Sequence, residues 1–233
     1  MTADGTSPTR RLAFSGAAAL VAAGALLMAA SWTRWKGACG PGLDSVACLT
    51  VQDHRFDYVL PSEPAGSIGL TTLFAGAAYV LLAAGLALVF AAARSAVWAR
   101  VLQGVLVGSA LGTGLVTLLS AGAGHSIGYE WVIVPWLMSP LLIATILADI
   151  VSQGDDDAVM SDRAWCAWAG ALVLAHPIIE FMLTPMMVRY QSHDTTPWDG
   201  MVGGAAFVLA GLVVLGGLAR TAARRRQSAQ REA

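Results

Sequence analysis

Two ionisable residues lie four positions apart inside an apolar stretch of the chain. His176 and Glu180 both belong to the segment 164–186, and residues four apart share one face of a helix. An ionisable group inside a membrane segment is costly unless it faces the protein interior or water. Pro177 lies between the two residues in sequence. It has no N–H to donate to the carbonyl of Val173, so it could free that carbonyl to bind a ligand. This segment is therefore the first candidate for a ligand or proton site.

A second kinked segment lies just upstream. The stretch 129–151 begins with Glu130 and contains Pro135 and Pro140. Kinked helices with polar residues line the sites of many transporters. Glu130 and His125 are therefore further candidates for ligand or proton binding, although a helix-end carboxylate such as Glu130 can also simply be solvated.

The imidazole and carboxylate groups allow a metal site to be considered. Such groups together suit zinc or another divalent ion, and nearby methionines could suit copper(I) or haem. The residues concerned are all expected on the outer side or in the outer half of the membrane: His54, His125, His176, His193, Asp53, Asp57, Glu130, Glu180, Asp194, Met182, Met186, Met187 and Met201. The sequence has no HExxH, CxxC or CxxCH motif. The metal candidates are His176 and Glu180, the cofactor is unknown, and the alternative is that this pair makes structural hydrogen bonds to each other or to neighbouring helices.

Cysteine placement predicts one disulfide. Cys39 and Cys48 both fall in the predicted outer loop 34–65, where disulfides persist, and Cys166 falls near the opposite end of a span, where a thiol stays reduced. A Cys39–Cys48 bond would stiffen that loop. The alternative is two unpaired thiols.

Glycines at spacing four predict close helix packing. Gly104, Gly108 and Gly112 lie on one face of the segment 97–121, and small residues let another helix backbone approach closely. The expected partner is a helix of the same chain, and the alternative is a helix of another protein.

These residues must be positioned by membrane helices. The chain of 233 residues is 56 % hydrophobic and 12 % charged, whereas a soluble domain carries about 25 % charged residues. Each of six apolar stretches is long enough to cross a bilayer. They are 12–33, 66–92, 97–121, 129–151, 164–186 and 200–219. The prediction is an all-α polytopic membrane bundle. The first stretch follows Arg10 and Arg11, as in a twin-arginine signal, but its length of about 20 residues favours a retained helix over a cleaved signal peptide.

Basic residues predict the orientation. Cytoplasmic loops of membrane proteins carry an excess of Lys and Arg. With the N-terminus inside, ten basic residues are cytoplasmic and four are outside. The ten are Arg10, Arg11, Arg94, Arg100, Arg163, Arg220, Arg224, Arg225, Arg226 and Arg231, and the four are Arg34, Lys36, Arg55 and Arg189. The prediction is a cytoplasmic N-tail 1–11, a six-helix domain 12–219 and a basic cytoplasmic C-tail 220–233, in a bacterial plasma membrane.

Two functions fit this organisation. The first is a non-catalytic membrane subunit or assembly factor, favoured by the small size, the glycine face and the lack of a recognised catalytic motif. The second is a small transporter or membrane-embedded enzyme with an outward-facing site between spans four and five that uses His176 and Glu180. The first is preferred, so the chain is not expected to be an enzyme. The expected partners are the lipid bilayer and other membrane proteins, and a net charge of −1 gives no basic excess for nucleic acid.

Overall fold

All the regular secondary structure in the described part of the chain is helical. A computed structural model describes residues 7–40, 42–61, 66, 69–128, 130–153, 160–190 and 194–231. They form nine α-helices and a short 3-10 turn at His54–Phe56, with no strand among the described residues. In chain order the helices are α1 Pro8–Cys39, α2 Val46–Gln52, α3 Thr71–Ala92, α4 Val97–Ala123, α5 Glu130–Leu137, α6 Ser139–Ser152, α7 Asp162–Leu174, α8 Pro177–Val188 and α9 Met201–Arg231. The all-α prediction is confirmed for these residues.

Four of these helices are long and apolar enough to cross a bilayer. They are α1, α3, α4 and α9, and they coincide with four of the six predicted spans. A fifth candidate is the pair α7 and α8, which is bent by 75° at a short break. The segment expected to form span four is instead two helices, α5 and α6, of 8 and 14 residues.

Prolines account for both breaks. Proline lacks a backbone N–H and disfavours the helical conformation in the residue before it. Pro177 is the first residue of α8, and His176 before it is extended, with φ −70° and ψ 133°. Pro135 lies inside α5, and Pro140 lies in the first turn of α6. The predicted free carbonyl is absent, because Val173 O accepts a hydrogen bond from the His176 N–H at 3.0 Å.

Helix α1 lies at the centre of the packing, against α3 and α9, and α3 also packs against α4. Glycines face each other at these contacts. A Cβ added to Gly16 of α1 would lie 2.9 Å from the carbonyl oxygen of Gly85 of α3, and one added to Gly114 of α4 would lie 2.8 Å from that of Gly76 of α3. Such pairs allow backbone contact, which stabilises helix association where lipid offers no hydrophobic driving force.

The predicted glycine face of Gly104, Gly108 and Gly112 does not form such a backbone contact at its first two glycines. Gly104 and Gly108 are exposed, and a Cβ at either would meet no atom of the described chain within 4 Å. Only Gly112 of the three is buried. The expectation that Gly104 and Gly108 pack against another helix of this chain is therefore wrong for the described residues, and the close contact of α4 falls at Gly114 instead.

The bundle has two chemically different ends. One end, here called the disulfide end, holds the C-terminus of α1, the C-terminus of α4 and the described residues of the loops 40–70 and 189–200. The other end, here called the arginine end, holds the N-terminus of α1, the loop 93–96 and the C-terminus of α9. Hydrogen bonds from Leu60 N to Thr117 Oγ1 and from Thr195 N to Gln52 O tie the first end together. The candidate chemistry lies at the disulfide end.

Candidate functional site

His176 and Glu180 both act as helix caps. The Nδ1 atom of His176 accepts a hydrogen bond from the Ile178 N–H at 3.3 Å, at the start of α8. Glu180 Oε1 accepts hydrogen bonds from the N–H groups of Gly200 at 2.8 Å and Gly203 at 2.9 Å, at the start of α9. A carboxylate at a helix N-terminus satisfies orphan N–H groups and interacts favourably with the helix dipole. Both residues therefore have a structural role at the positions where the sequence suggested chemistry.

The two residues also line different cavities. His176 lines a small cavity of about 60 Å³ together with Ser109 and Ser139. Glu180 lines a larger cavity of about 250 Å³ at the disulfide end. Its described lining comes from five segments: α1, the 3-10 turn and the residues after it, helix α3 through Tyr79, helix α8 and the loop before α9. This larger cavity is the candidate site, here called the polar cavity.

Arg34 is the buried cation of the polar cavity. It is only 2 % exposed, near the C-terminal end of α1. Its guanidinium donates to Asp57 Oδ1 at 3.3 and 3.4 Å and to Val51 O at 3.0 Å. The guanidinium carbon also lies 4.4 Å from the centre of the Trp35 ring and 5.2 Å from that of Tyr58. Cation–π contacts strengthen when they are desolvated, so Arg34 fixes the first loop onto the end of α1.

Asp57 connects this cation to the loop before α9. Its Oδ1 atom also accepts the Thr195 hydroxyl at 3.1 Å. Its Oδ2 atom lies 3.2 Å from His54 Nδ1, and His54 Nε2 lies 3.7 Å from Asp194 Oδ1. These contacts join segments more than a hundred residues apart in sequence, so only the folded chain assembles them.

Asp199 completes the wall of the cavity. Its backbone oxygen accepts hydrogen bonds from the Tyr58 hydroxyl at 2.5 Å and from Trp35 Nε1 at 3.3 Å. Burial raises the pKa of the Asp199 carboxyl, Arg34 opposes this rise, and Asp57 adds to it. Burial also raises the pKa of the Tyr58 hydroxyl well above its usual value. Desolvation disfavours the charged form of each group.

The disulfide stiffens one wall of this end. Cys39 at the end of α1 and Cys48 in α2 are joined, as the sequence predicted. Both are buried against Trp35. The Ser45 hydroxyl accepts from the Cys48 N–H at the start of α2 and donates to Ala38 O. Helix α2 is therefore fastened to α1 by one covalent bond and by the Ser45 side chain.

The remaining candidates lie apart from the polar cavity. His125 is exposed after α4, with Nδ1 3.0 Å from Ser126 O. His193 and the side chain of Glu130 lie outside the described residues. Within the part of the chain that the structure describes, no three His, Cys, Asp or Glu side chains are arranged to hold a metal ion. His176 and Glu180 line different cavities, so a metal site built on that pair gains no support.

The sequence reasoning did not bring together the residues that build this cavity. Arg34 was read only as a basic residue of the outer side and Asp57 only as one of the outer-side carboxylates, whereas no role in a site was given to Tyr58 or Asp199. One signal was available: Arg34 lies shortly after an apolar stretch, with Trp32 two positions before it and Trp35 directly after it. Among the described residues, the lining carries four carboxylates, those of Asp57, Glu180, Asp194 and Asp199, against one guanidinium and the imidazole of His54. This acidic excess suits a small cationic group.

Comparison of the chain with protein-family models, with curated proteins and with solved structures gave no match to any of them, so its function is inferred from its own residues.

Proposed function

We propose that this chain is an integral protein of a bacterial plasma membrane that crosses six times, with both termini in the cytoplasm. The path of the chain supports six passes. Helix α4 ends at the disulfide end, while Asp149, late in α6, accepts a hydrogen bond from Ala96 N at the arginine end. The broken segments α5–α6 and α7–α8 each carry the chain from one end to the other, and the positive-inside rule then makes the arginine end cytoplasmic.

The topology has a direct test. A single cysteine introduced at Asp44, in a variant with all three native cysteines replaced by serine, should react with a membrane-impermeant maleimide in intact cells. A matched cysteine at Gln227 should react only after the cells are opened. The reverse pattern would contradict the proposed orientation, and labelling of both positions in intact cells would contradict an even number of crossings.

The proposed role is that of a non-catalytic subunit or assembly factor that presents its disulfide end to another membrane protein. The observation that carries this role is the rigid construction of that end, where buried Arg34 and the Cys39–Cys48 bond lock the first loop in place. A preorganised surface loses little conformational entropy on binding. Helix α2 also presents apolar side chains outward on this surface, with Val46 81 % and Leu49 49 % exposed.

Site-specific photo-crosslinking tests this role. A photoreactive amino acid at Val46 should give a discrete adduct with another membrane protein in cells. Replacing Cys39 and Cys48 by serine should reduce the adduct, because α2 loses its anchor. The same probe at exposed Gln230, beyond the opposite end of the bundle, is the matched control. Equal labelling at both sites, or no adduct at Val46 while the protein accumulates normally, would contradict the proposal.

A second function is favoured by one specific observation, the acidic excess of the polar cavity. In this alternative the chain is a small transporter whose site opens at the disulfide end and binds a small organic cation. Glu180→Gln separates the two roles, because the amide oxygen can still accept from Gly200 and Gly203 while the charge is lost. The transporter role predicts loss of uptake with normal abundance. The subunit role predicts that the variant is tolerated.

A further inference from the structure

The arginine end contains a large groove that neither proposed role uses. It has a volume of about 820 Å³ and lies between the first turns of α1 and the last part of α9. Its walls are apolar, with Phe14 from α1 and Leu215 and Leu218 from α9. Arg10 and Arg11 lie at one end of the groove, here called its charged end. No acidic side chain is part of its described lining.

The spacing of glycines explains why the groove opens there. Helices α1 and α9 are in backbone contact at Gly24 and Gly204, and again where a Cβ added to Gly211 would lie 2.7 Å from Ala17 O. Towards the arginine end larger side chains, such as Phe14 and Leu215, line the groove instead. The groove therefore lies beyond the last of these glycine contacts between the two helices.

Arg10, at the charged end of the groove, has an unused hydrogen-bond donor. The Nη2 atom of Arg10 is buried, and it has no hydrogen-bond partner among the described residues. A buried donor without an acceptor costs free energy. An anionic group at the charged end would be attracted by the guanidinium groups of Arg10 and Arg11, and guanidinium–phosphate hydrogen bonds are among the stronger ones.

We infer that this groove binds one anionic phospholipid, with its phosphate at Arg10 and Arg11 and an acyl chain along Phe14, Leu215 and Leu218. Both halves of the lining match such a molecule: basic at the bilayer surface and apolar towards the membrane interior. Phe14 is 60 % exposed, which is acceptable in contact with an acyl chain. The inference depends on membrane insertion and not on the partner or solute proposed above.

Native mass spectrometry of the detergent-purified protein tests the inference, with dioleoyl phosphatidylglycerol and dioleoyl phosphatidylcholine as the two probes. The wild type should retain one phosphatidylglycerol in preference to phosphatidylcholine. The double variant R10Q/R11Q should bind phosphatidylglycerol roughly thirtyfold more weakly, from the usual contribution of two basic residues near a charged lipid. The matched variant R100Q/R163Q loses the same charge at the same end but outside the groove, and it should bind like the wild type.

A second pair of variants keeps the charge and changes only the space. Ala219→Trp places a bulky side chain on the groove wall and should weaken retention of the lipid. Ala223→Trp, at an exposed position outside the lining, should not. This pair decides the question if R10Q/R11Q does not accumulate. The inference is overturned by equal retention of both lipids in the wild type, by an equal loss in R100Q/R163Q, by unchanged binding in Ala219→Trp, or by displacement of the lipid with inorganic phosphate.

Discussion

Two glycines of α4 provide a matched test of the packing. Gly114 and Gly108 lie six residues apart in the same helix, but a Cβ on Gly114 would lie 2.8 Å from both Gly76 O and Val80 N of α3. A Cβ on Gly108 would meet nothing within 4 Å. The two backbone atoms near Gly114 cannot rotate away as a side chain can, so Gly114→Ala must push the two helices apart.

The magnitudes follow from two opposing effects. Replacing glycine by alanine inside a helix stabilises it by about 0.5–1 kcal/mol, and this gain applies to both positions. Overpacking costs about 1–3 kcal/mol and applies only to Gly114. We therefore expect Gly108→Ala to raise the free energy of unfolding slightly and Gly114→Ala to lower it. Because the propensity gain cancels, the difference between the two variants is the overpacking cost of about 1–3 kcal/mol.

Equilibrium unfolding in mixed dodecylmaltoside and dodecyl sulfate micelles, followed by tryptophan fluorescence, measures this difference. If Gly114→Ala is as stable as Gly108→Ala, the contact between Gly76 and Gly114 is not formed. If instead Gly108→Ala is the destabilised variant, the exposed glycine face packs against a second molecule. In that case the loss should depend on protein concentration.

Three further predictions concern the disulfide end and use the same unfolding assay. Arg34→Met should lower the free energy of unfolding by about 3 kcal/mol, because a buried ion pair loses one partner. Lys36→Met, at an exposed position, should change it little. Equal losses in the two variants would contradict the role of Arg34. Burial raises the Asp199 pKa from 3.8 to about 6, so between these pH values the folded state holds a proton that the unfolded state has released. The free energy of unfolding should therefore fall as the pH rises through that interval. An unchanged pH profile in Asp199→Asn would contradict this. Replacing Cys39 and Cys48 by serine should lower the free energy of unfolding by about 2–3 kcal/mol relative to the oxidised wild type, because the bond closes a short loop. Relative to the reduced wild type, no loss is expected.

The sequence by itself determined the all-helical composition and the four long apolar helices. Hydropathy over a window of about 20 residues is a local property, so it can be read without knowing the fold. The disulfide between Cys39 and Cys48 was equally accessible, since both cysteines lie close together in one loop. The prolines at 135, 140 and 177 predicted kinks. The sequence did not show that two of the predicted spans would each be divided into two separate helices.

Only the tertiary structure decided which residues face one another. Glycine spacing shows where a helix allows close approach, but not which face meets a neighbour, so Gly104 and Gly108 were chosen when Gly114 makes the contact. His176 and Glu180 were paired by helical spacing, yet His176 caps the start of α8 and Glu180 caps the start of α9. Arg34 and Asp199 meet around one cavity because α1 and α9 pack side by side. Such contacts depend on the relative placement of whole helices, and no local pattern in the sequence encodes it.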